Sequence, residues 1–158
     1  MTYPLYSDEF FMNEALKEAK KAFDKDEVPI GAVIVAGNII IARGYNMTEN
    51  LGDVTAHAEM IAITSAENYL GSKYLNDCVL YVTLEPCLMC VGAMFHARIA
   101  RVVYGASDPK TGAAGSVLNL FEEQRLNHHA TVEGGVLAGE CGNVLSEFFA
   151  ARRAQQRA

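Results

Sequence analysis

Two short segments of the chain contain residue types that bind metal ions and transfer protons. Residues 57–59 read His-Ala-Glu, and residues 86–90 read Pro-Cys-Leu-Met-Cys. Cys87 and Cys90 are three positions apart, so they share one face of a first helical turn, where the helix N-terminus favours thiolates. They are predicted to chelate one ion together. His57 and Glu59 are two positions apart, so both reach one site only if that site lies over a helix end.

One imidazole and two thiolates make three protein ligands. For tetrahedral zinc this leaves a fourth position for water, which is the arrangement of a catalytic site. Water bound to zinc has a pKa of about 7, so hydroxide is available at neutral pH. A carboxylate beside the metal can take the water proton and deliver it to a ring nitrogen and a departing amine. The sequence therefore predicts one Zn²⁺ per subunit on His57, Cys87 and Cys90, with Glu59 as the catalytic proton shuttle.

A structural zinc site and a redox pair are the alternatives for a Cys-x-x-Cys motif. A structural site needs a fourth protein ligand, for which Cys78, Cys141 and His96 are candidates, but none of them lies in a second paired motif. Cys78 and Cys141 are instead predicted to be buried small apolar residues. The three remaining histidines, His96, His128 and His129, are interpreted as surface or hydrogen-bonded structural groups.

Hydrophobic spacing and capping residues predict the elements that position these segments. Ser7 is a candidate N-cap for a first helix that ends near residue 24. The apolar runs 28–35 and 39–45 predict a hairpin with a tight turn. Thr55 is predicted to cap a helix over residues 56–69, and Pro86 to occupy the first position of a helix that ends near residue 98. The remaining predicted elements are strands at 78–83, 101–104 and 131–133, a short helical segment, and a last helix over 139–153.

Helices and strands alternate after the hairpin, which predicts a mixed, mainly parallel sheet with helical crossovers. Continuous apolar strands are typical of a sheet that is covered on both faces. A chain of 158 residues has the length of one ordinary domain. Residues 1–158 are therefore predicted to form a single α/β domain.

Composition and charge exclude several classes of protein. A chain with 51% hydrophobic and 20% charged residues is typical of a soluble globular protein rather than a disordered one. Residues 28–42, the longest stretch without charged side chains, are too few to span a bilayer. We see no secretory signal, so a cytoplasmic location with reduced thiols is expected. A net charge of −6 disfavours indiscriminate binding to nucleic acid.

Over nearly its full length, the sequence resembles the bacterial tRNA-specific adenosine deaminases of the cytidine deaminase superfamily. His-x-Glu with Pro-Cys-x-x-Cys is the known signature of zinc nucleobase deaminases, and it identifies only the superfamily. The longer matches select the tRNA-editing branch. They are residues 27–33, 55–59, 81–90 and 110–116, together with Asp108 and the Phe148-Phe149 and Arg152-Arg153 pairs.

The resemblance implies a three-layer α/β/α cytidine deaminase-like fold with about five strands. It implies that the wobble adenosine of a tRNA anticodon, with an arginine tRNA as the expected substrate, is hydrolysed to inosine. It also implies a homodimer whose partner subunit helps to form the RNA surface. The implied substrate-binding residues are Val28 and Leu84 in an apolar wall, Asn46 on the nucleotide, the Ala58 amide on the base edge, Asp108, Lys110 and Phe149 at the anticodon loop, and Arg152 in a basic helix end.

Other functions remain open from the residues alone. A deaminase of free guanine, cytosine or a nucleoside would share every zinc-site residue, and a structural-zinc RNA-binding module would bind RNA without releasing ammonia. Asn46 and Asp108 are also ordinary turn residues, and a helix dipole favours Arg152 near a C-terminus whatever the function. Phe148 and Phe149 beside guanidinium groups fit the stacking of single-stranded bases, although one of the two is expected to pack in the core.

Overall fold

One five-stranded sheet organises the protein in a computed structural model that describes residues 2–157. Residues 1 and 158, the ends of the predicted domain, lie outside the described residues. The strands are β1 (Gly31–Ala36), β2 (Ile39–Tyr45), β3 (Val79–Leu84), β4 (Arg101–Ala106) and β5 (Thr131–Glu133). The helices are α1 (Asp8–Asp24), α2 (Thr48–Leu51), α3 (Ala58–Leu70), α4 (Leu88–His96) and α5 (Ala138–Arg157), with a short 3-10 helix at Leu120–Glu122.

Different helices cover the two faces of the sheet. Ile34 and Val102 belong to a buried cluster with α3 and α4, whereas their neighbours Val33 and Val103 belong to a cluster with α1 and α5. This alternation arises because successive side chains of a strand point to opposite faces. The predicted three-layer α/β/α fold is confirmed. In the described part of the chain, no helix is both long and apolar enough to cross a membrane.

The strand order is β2-β1-β3-β4-β5. β1 pairs antiparallel with both β2 and β3, whereas β3, β4 and β5 are parallel neighbours. The sheet is mixed and mainly parallel, as predicted, because β2, β3, β4 and β5 run in one direction and β1 runs in the opposite one. The chain passes through α3 from β2 to β3 and skips β1. Alternation of helices and strands predicts such a crossover but not the strand that it skips.

Most predicted elements lie close to their predicted bounds. Ser7 caps α1 by accepting the N–H of Phe10 at 3.1 Å, and β5 has the predicted bounds. Gly37 and Asn38, with φ of 54° and 65°, form the tight hairpin turn, because paired positive φ angles match the twist of the flanking strands. The short helix α2 was not predicted, and α5 continues to Arg157.

The helix that carries His57 begins later than predicted. Thr55 does not cap it, because both the N–H and the hydroxyl of Thr55 donate to Asp53 Oδ1, at 2.8 and 2.7 Å. His57 is the N-cap of α3 instead, with extended backbone angles. The imidazole and the Glu59 side chain therefore flank the start of one helix, which is the condition under which both reach one site.

The helix that carries the two cysteines also begins later than predicted. Cys87, not Pro86, precedes the first helical residue, Leu88. The Pro86 carbonyl accepts the N–H of Ala113 at 2.8 Å, so it serves the loop that follows β4. Cys87 is thus the N-cap of α4, and Cys90 lies in the first turn.

Asp8, the first residue of α1, ties this helix to the sheet. Its carboxylate accepts two hydrogen bonds from the Arg101 guanidinium, at 2.9 and 2.7 Å, and one from the Tyr81 hydroxyl at 2.9 Å. The bond to Arg101 holds the pKa of Asp8 below its ordinary value, although partial burial opposes it. The resulting stability is fully present above the ordinary aspartate pKa, and it is lost as the pH falls through the lowered pKa of the folded state.

We expect Asp8→Asn to lower the free energy of unfolding at neutral pH by about 1–3 kcal/mol, because it removes the charge from these hydrogen bonds. The difference in unfolding free energy between the variant and the wild type is expected to shrink in acid, because the protonated Asp8 of the wild type is then uncharged like the asparagine. Urea unfolding at neutral and acidic pH measures both. Glu133→Gln is the matched control, since Glu133 pairs with the same Arg101 at 3.4 Å but is exposed. An equal loss for Asp8→Asn at both pH values would contradict the electrostatic origin.

Candidate active site

Three potential metal ligands converge where α3 and α4 begin. His57 Nδ1 lies 3.7 Å from Cys87 Sγ and 3.4 Å from Cys90 Sγ. The three donor atoms all lie within 4.8 Å of one another. A tetrahedral zinc ion with ordinary bond lengths would separate its nitrogen and sulfur ligands by about 3.5–3.8 Å. The donor types and their spacing therefore fit one zinc ion, and the predicted ligand set is brought together.

Close packing of α3 on β2 fixes the position of His57. A Cβ at Gly44 in β2 would lie 2.5 Å from the carbonyl oxygen of Ala58. Glycine allows a backbone approach that any other residue would block. Ala58, the first residue of α3, is completely buried. The sheet thereby sets where the imidazole of the preceding residue can reach.

The two thiols differ in acidity. A hydrogen bond with Cys90 lowers the pKa of Cys87 to about 4, and His57 acts in the same direction against the effect of burial. The same hydrogen bond and burial raise the pKa of Cys90. Metal binding needs both as thiolates, so it releases a proton.

Glu59 is 4% exposed and is the second residue of α3. Burial raises its pKa to about 7, and the nearby His57 partly opposes this shift. A zinc ion on the adjacent ligands would favour the carboxylate further. A buried carboxyl group that exchanges a proton near neutral pH is suited to general acid–base catalysis.

A cavity of about 460 Å³ opens beside the ligand cluster. Its lining includes His57 and Cys87, Lys110 from the loop after β4, and apolar side chains such as Val54 and Val117. Small-molecule sites commonly have volumes of about 300–1,000 Å³ and mostly apolar walls. The cavity can therefore receive a flat heterocyclic base next to the ligand cluster.

Several predicted substrate-binding residues lie at the ends of strands, on the side of the sheet where α3 and α4 begin. Val28 precedes β1, Asn46 follows β2, and Leu84 ends β3. Asn46 is buried, and its amide donates to the Val28 carbonyl at 3.3 Å. Leu84, in contrast, packs partly against the cluster formed with α1 and α5. Val28, Asn46 and Leu84 do not line the cavity described above.

The loop after β4 carries two more predicted residues. Asp108 Oδ1 accepts the N–H of Lys110 at 3.0 Å, and Asp108 Oδ2 accepts the Thr111 hydroxyl at 2.7 Å. The Asp108 carboxylate therefore shapes the turn that presents Lys110. Lys110 and Thr111 line the cavity, whereas Asp108 is not one of its lining residues.

The predicted residues of α5 lie away from the cavity lining. Phe148 is buried and packs on Phe23 with ring centroids 5.6 Å apart, which confirms that one of the two phenylalanines belongs to the core. Phe149 is 42% exposed. The Arg152 guanidinium lies over the Phe148 ring and donates to the Asp26 carbonyl at 3.2 Å. Arg152 thus reaches the segment that leads to Val28 but not the metal ligands.

Two buried carboxylates that the sequence analysis did not single out hold the loops around the site. Glu27 is completely buried and accepts the N–H groups of Glu49 and Asn50, at 3.1 and 2.7 Å. Glu85 accepts hydrogen bonds from the loop 108–116. Burial alone would raise the pKa of each, but these donors lower both pKa values. In the sequence, the only indication of these two buried carboxylates is that each acid directly precedes an apolar segment that contains a proline.

The other cysteines and histidines lie outside the metal cluster. Cys78 and Cys141 are 1% and 0% exposed, as predicted for buried apolar residues. His96 is exposed, and the His128 ring lies 2.8 Å from the Ile99 carbonyl. Among the described residues, the cluster on His57 does not include Cys78, Cys141 or His96. Three ligands without a fourth from the protein are typical of catalytic zinc rather than structural zinc.

Comparisons with known proteins agree with this geometry. Residues 5–106 match the cytidine and deoxycytidylate deaminase zinc-binding region. The chain is 52% identical to a tRNA-specific adenosine deaminase of Bacillus subtilis (strain 168), over 96% of this chain and 94% of the relative. It is 50% identical to that of Aquifex aeolicus (strain VF5), over 89% of this chain and 93% of the relative.

Solved structures of deaminases have the same fold as this chain. One from a study of A-to-I editing by deaminases acting at the wobble position of transfer RNA has a TM-score of 0.83 and 47% identity, covering 85% of this chain and 98% of that chain. A guanine deaminase from Nitrosomonas europaea shares the fold, with a TM-score of 0.81, 24% identity, and coverage of 91% of this chain and 85% of that chain. The chain therefore belongs to the zinc-binding cytidine and deoxycytidylate deaminase family and, within it, to the tRNA-specific adenosine deaminases.

Proposed function

We propose that the protein hydrolyses the wobble adenosine of a tRNA anticodon to inosine, with an arginine tRNA as substrate. The observation that carries this proposal is a cluster of three potential zinc ligands, His57, Cys87 and Cys90, with the buried Glu59 beside it and a cavity at its edge. The tRNA-specific relatives, which match almost the whole chain, support the choice of substrate.

The reaction replaces the exocyclic amine of adenosine with oxygen. His57, Cys87 and Cys90 would hold a zinc ion, which would supply a Lewis acid able to activate water at neutral pH. Glu59 takes one proton from the attacking water and delivers it to the ring nitrogen, and then takes the second proton from the new hydroxyl at C6 and delivers it to the departing amine. A carbon–oxygen bond forms at C6, the carbon–nitrogen bond breaks, and adenosine and water become inosine and ammonia.

The same proposal assigns the residues around the base. The Ala58 N–H belongs to the first turn of α3, where helix N–H groups lack intrahelical partners, so it is suited to bind a base edge. Lys110 lines the cavity and offers a cation to a phosphate. The remaining assignments are Val28 and Leu84 to the apolar wall, Asn46 to the nucleotide, Asp108 and Phe149 to the anticodon loop, and Arg152 to the basic helix end.

We further propose that residues 1–158 form one deaminase domain, which acts as a cytoplasmic homodimer. Exposed apolar side chains at the cavity support the dimer, because Val54, Leu88 and Val117 are 83%, 65% and 56% exposed. A second copy that packs against these side chains would remove them from water and contribute to the wall of the cavity. Static light scattering is expected to give twice the chain mass, and the mass of a single chain would contradict the dimer.

Mass spectrometry of nucleosides tests the proposed reaction. The zinc-loaded protein is incubated with an arginine tRNA that carries an unmodified wobble adenosine, and in parallel with free guanine, cytosine and adenosine. Inosine confined to the wobble position supports the proposal. Ammonia from a free base without inosine in the tRNA would contradict it in favour of a small-molecule deaminase. No deamination of any substrate would favour an RNA-binding module with zinc.

A further inference from the structure

Glu85 stands between the end of β3 and the turn that carries Cys87, and it is 2% exposed. Its carboxylate faces the loop 108–116. Oε1 accepts the N–H of Asp108 at 3.0 Å and the hydroxyl of Ser116 at 2.5 Å. Oε2 accepts the N–H groups of Ala114 and Ser116, at 3.0 and 3.1 Å. One side chain therefore binds both ends of this loop.

The loop 108–116 forms part of the cavity wall through Lys110, Thr111 and Ala113. The N–H of Ala113 also donates to the Pro86 carbonyl, at 2.8 Å. The loop is thus hydrogen-bonded to two consecutive residues, Glu85 and Pro86, which directly precede the metal ligand Cys87. Its shape depends on the strand that leads to the zinc site.

The loop wraps so closely around Glu85 that it has no room for a side chain at its centre. A Cβ at Gly112 would overlap the Glu85 carboxyl group. Each described partner of the carboxylate donates a hydrogen bond to it, so the contact needs a group that only accepts. A glutamine at position 85 would turn an amide N–H toward at least one backbone N–H, leaving buried donors unpaired.

We propose that Glu85 is a positioning residue that holds the loop 108–116 in the conformation that receives the RNA. It acts through Asp108 and Lys110, not on the reacting atoms. This inference rests on the proposed function, which assigns those two residues to the anticodon loop. The zinc ligands are not partners of the carboxylate, so the effect is expected in substrate binding rather than in metal binding.

We expect Glu85→Gln to raise the KM for an anticodon stem-loop by about tenfold or more, with a smaller change in kcat and an unchanged zinc content. Steady-state kinetics and metal analysis of the same preparation measure these quantities. Loss of zinc in parallel with activity would overturn the proposal, because Glu85 would then support the Cys87 turn. An unchanged KM would overturn it as well.

Gly112→Ala perturbs the same contact from the side of the loop. We expect Gly112→Ala to raise KM in the same way. The KM of the double variant is expected to be no higher than the higher of the two single-variant values, because the effects of substitutions at residues in contact do not add. Additive losses would show that the two changes act independently. Gly112→Ala also provides the test if Glu85→Gln does not fold.

Glu18→Gln is the matched control. Glu18 is also 2% exposed, but its carboxylate pairs with Lys21 and Arg43, at 2.9 and 3.3 Å, outside the cavity. We expect this variant to lose stability without a change in KM. A KM increase equal to that of Glu85→Gln would mean that KM reports general destabilisation.

Amide hydrogen exchange of the zinc-loaded protein tests the loop without any turnover. The amides of Ala114 and Ser116 are expected to exchange faster in Glu85→Gln than in the wild type or in Glu18→Gln. Unchanged exchange would overturn the role of Glu85. If the wild type did not deaminate RNA, the proposed function would fail, whereas the exchange comparison would still decide whether Glu85 holds the loop.

Discussion

Glu59→Gln is expected to lower the rate of deamination by at least about 1,000-fold while the protein keeps its fold and its zinc. The amide has nearly the same shape as the carboxyl group, but it cannot take a proton from water or deliver one to the base. Two successive proton transfers depend on this one side chain in the proposed reaction. The loss is therefore expected in kcat, under conditions that saturate the enzyme with RNA.

Glu59→Gln is expected to bind zinc like the wild type, because Glu59 is not one of the three clustered ligands. Stability is expected to stay the same or to rise. Without a metal ion, burial raises the pKa of Glu59 to about 7, so the metal-free fold disfavours the charged carboxylate. A neutral amide relieves that cost, as often happens when an active-site group is replaced.

Glu67→Gln is the matched control, since it makes the same substitution on the same helix away from the ligand cluster. Single-turnover conversion of adenosine to inosine, metal analysis and thermal unfolding of both variants give the comparison. Turnover above about one hundredth of the wild-type rate in Glu59→Gln would contradict the shuttle role. Zinc loss in this variant would instead make Glu59 part of the ligand set.

The predictable part of the site depends on local spacing. All four chemical residues lie within two short segments, 57–59 and 86–90, whose geometry a helix start determines. The exact start was not predictable from capping propensity, because Thr55 is bound by Asp53 and the Pro86 carbonyl is bound by Ala113. These are contacts of the folded chain that compete with the expected caps.

The carboxylates that hold the loops were not predictable from local patterns. The partners of Glu85 lie 23 to 31 positions later in the chain. Those of Glu27 lie 22 and 23 positions later. A buried charge of this kind is visible in a sequence only as an acid directly before an apolar segment, and its partners appear only once the loops are placed.

The roles of the residues expected to contact RNA cannot be predicted from local spacing or from the fold of one chain. Lys110 lines the cavity, but Phe149 and Arg152 lie on α5, which contributes no residue to the lining. Their role depends on how a folded RNA crosses the surface between the cavity and α5. Resemblance to tRNA-specific deaminases suggests that path, whereas the fold of one chain provides only the positions that the RNA would have to reach.

Cys87→Ala is expected to lower the zinc content to below about one tenth and to abolish deamination, because two remaining ligands hold zinc much more weakly than three. Cys87 is also the N-cap of α4 and the more acidic of the two thiols. Its loss therefore removes one of the three ligands and changes the start of the helix that carries Cys90. Metal analysis after gel filtration measures the retained zinc.

Cys78→Ala is the matched control, because Cys78 is a buried cysteine outside the ligand cluster. It is expected to keep zinc and activity and to lose only some packing stability. Added zinc is expected to raise the melting temperature of Cys78→Ala and of the wild type, since a ligand that binds only the folded state stabilises it, but not that of Cys87→Ala. Zinc retained at the wild-type level by Cys87→Ala would contradict the assigned ligand set. Loss of zinc with retained deamination would contradict the zinc mechanism, so the two measurements separate binding from catalysis.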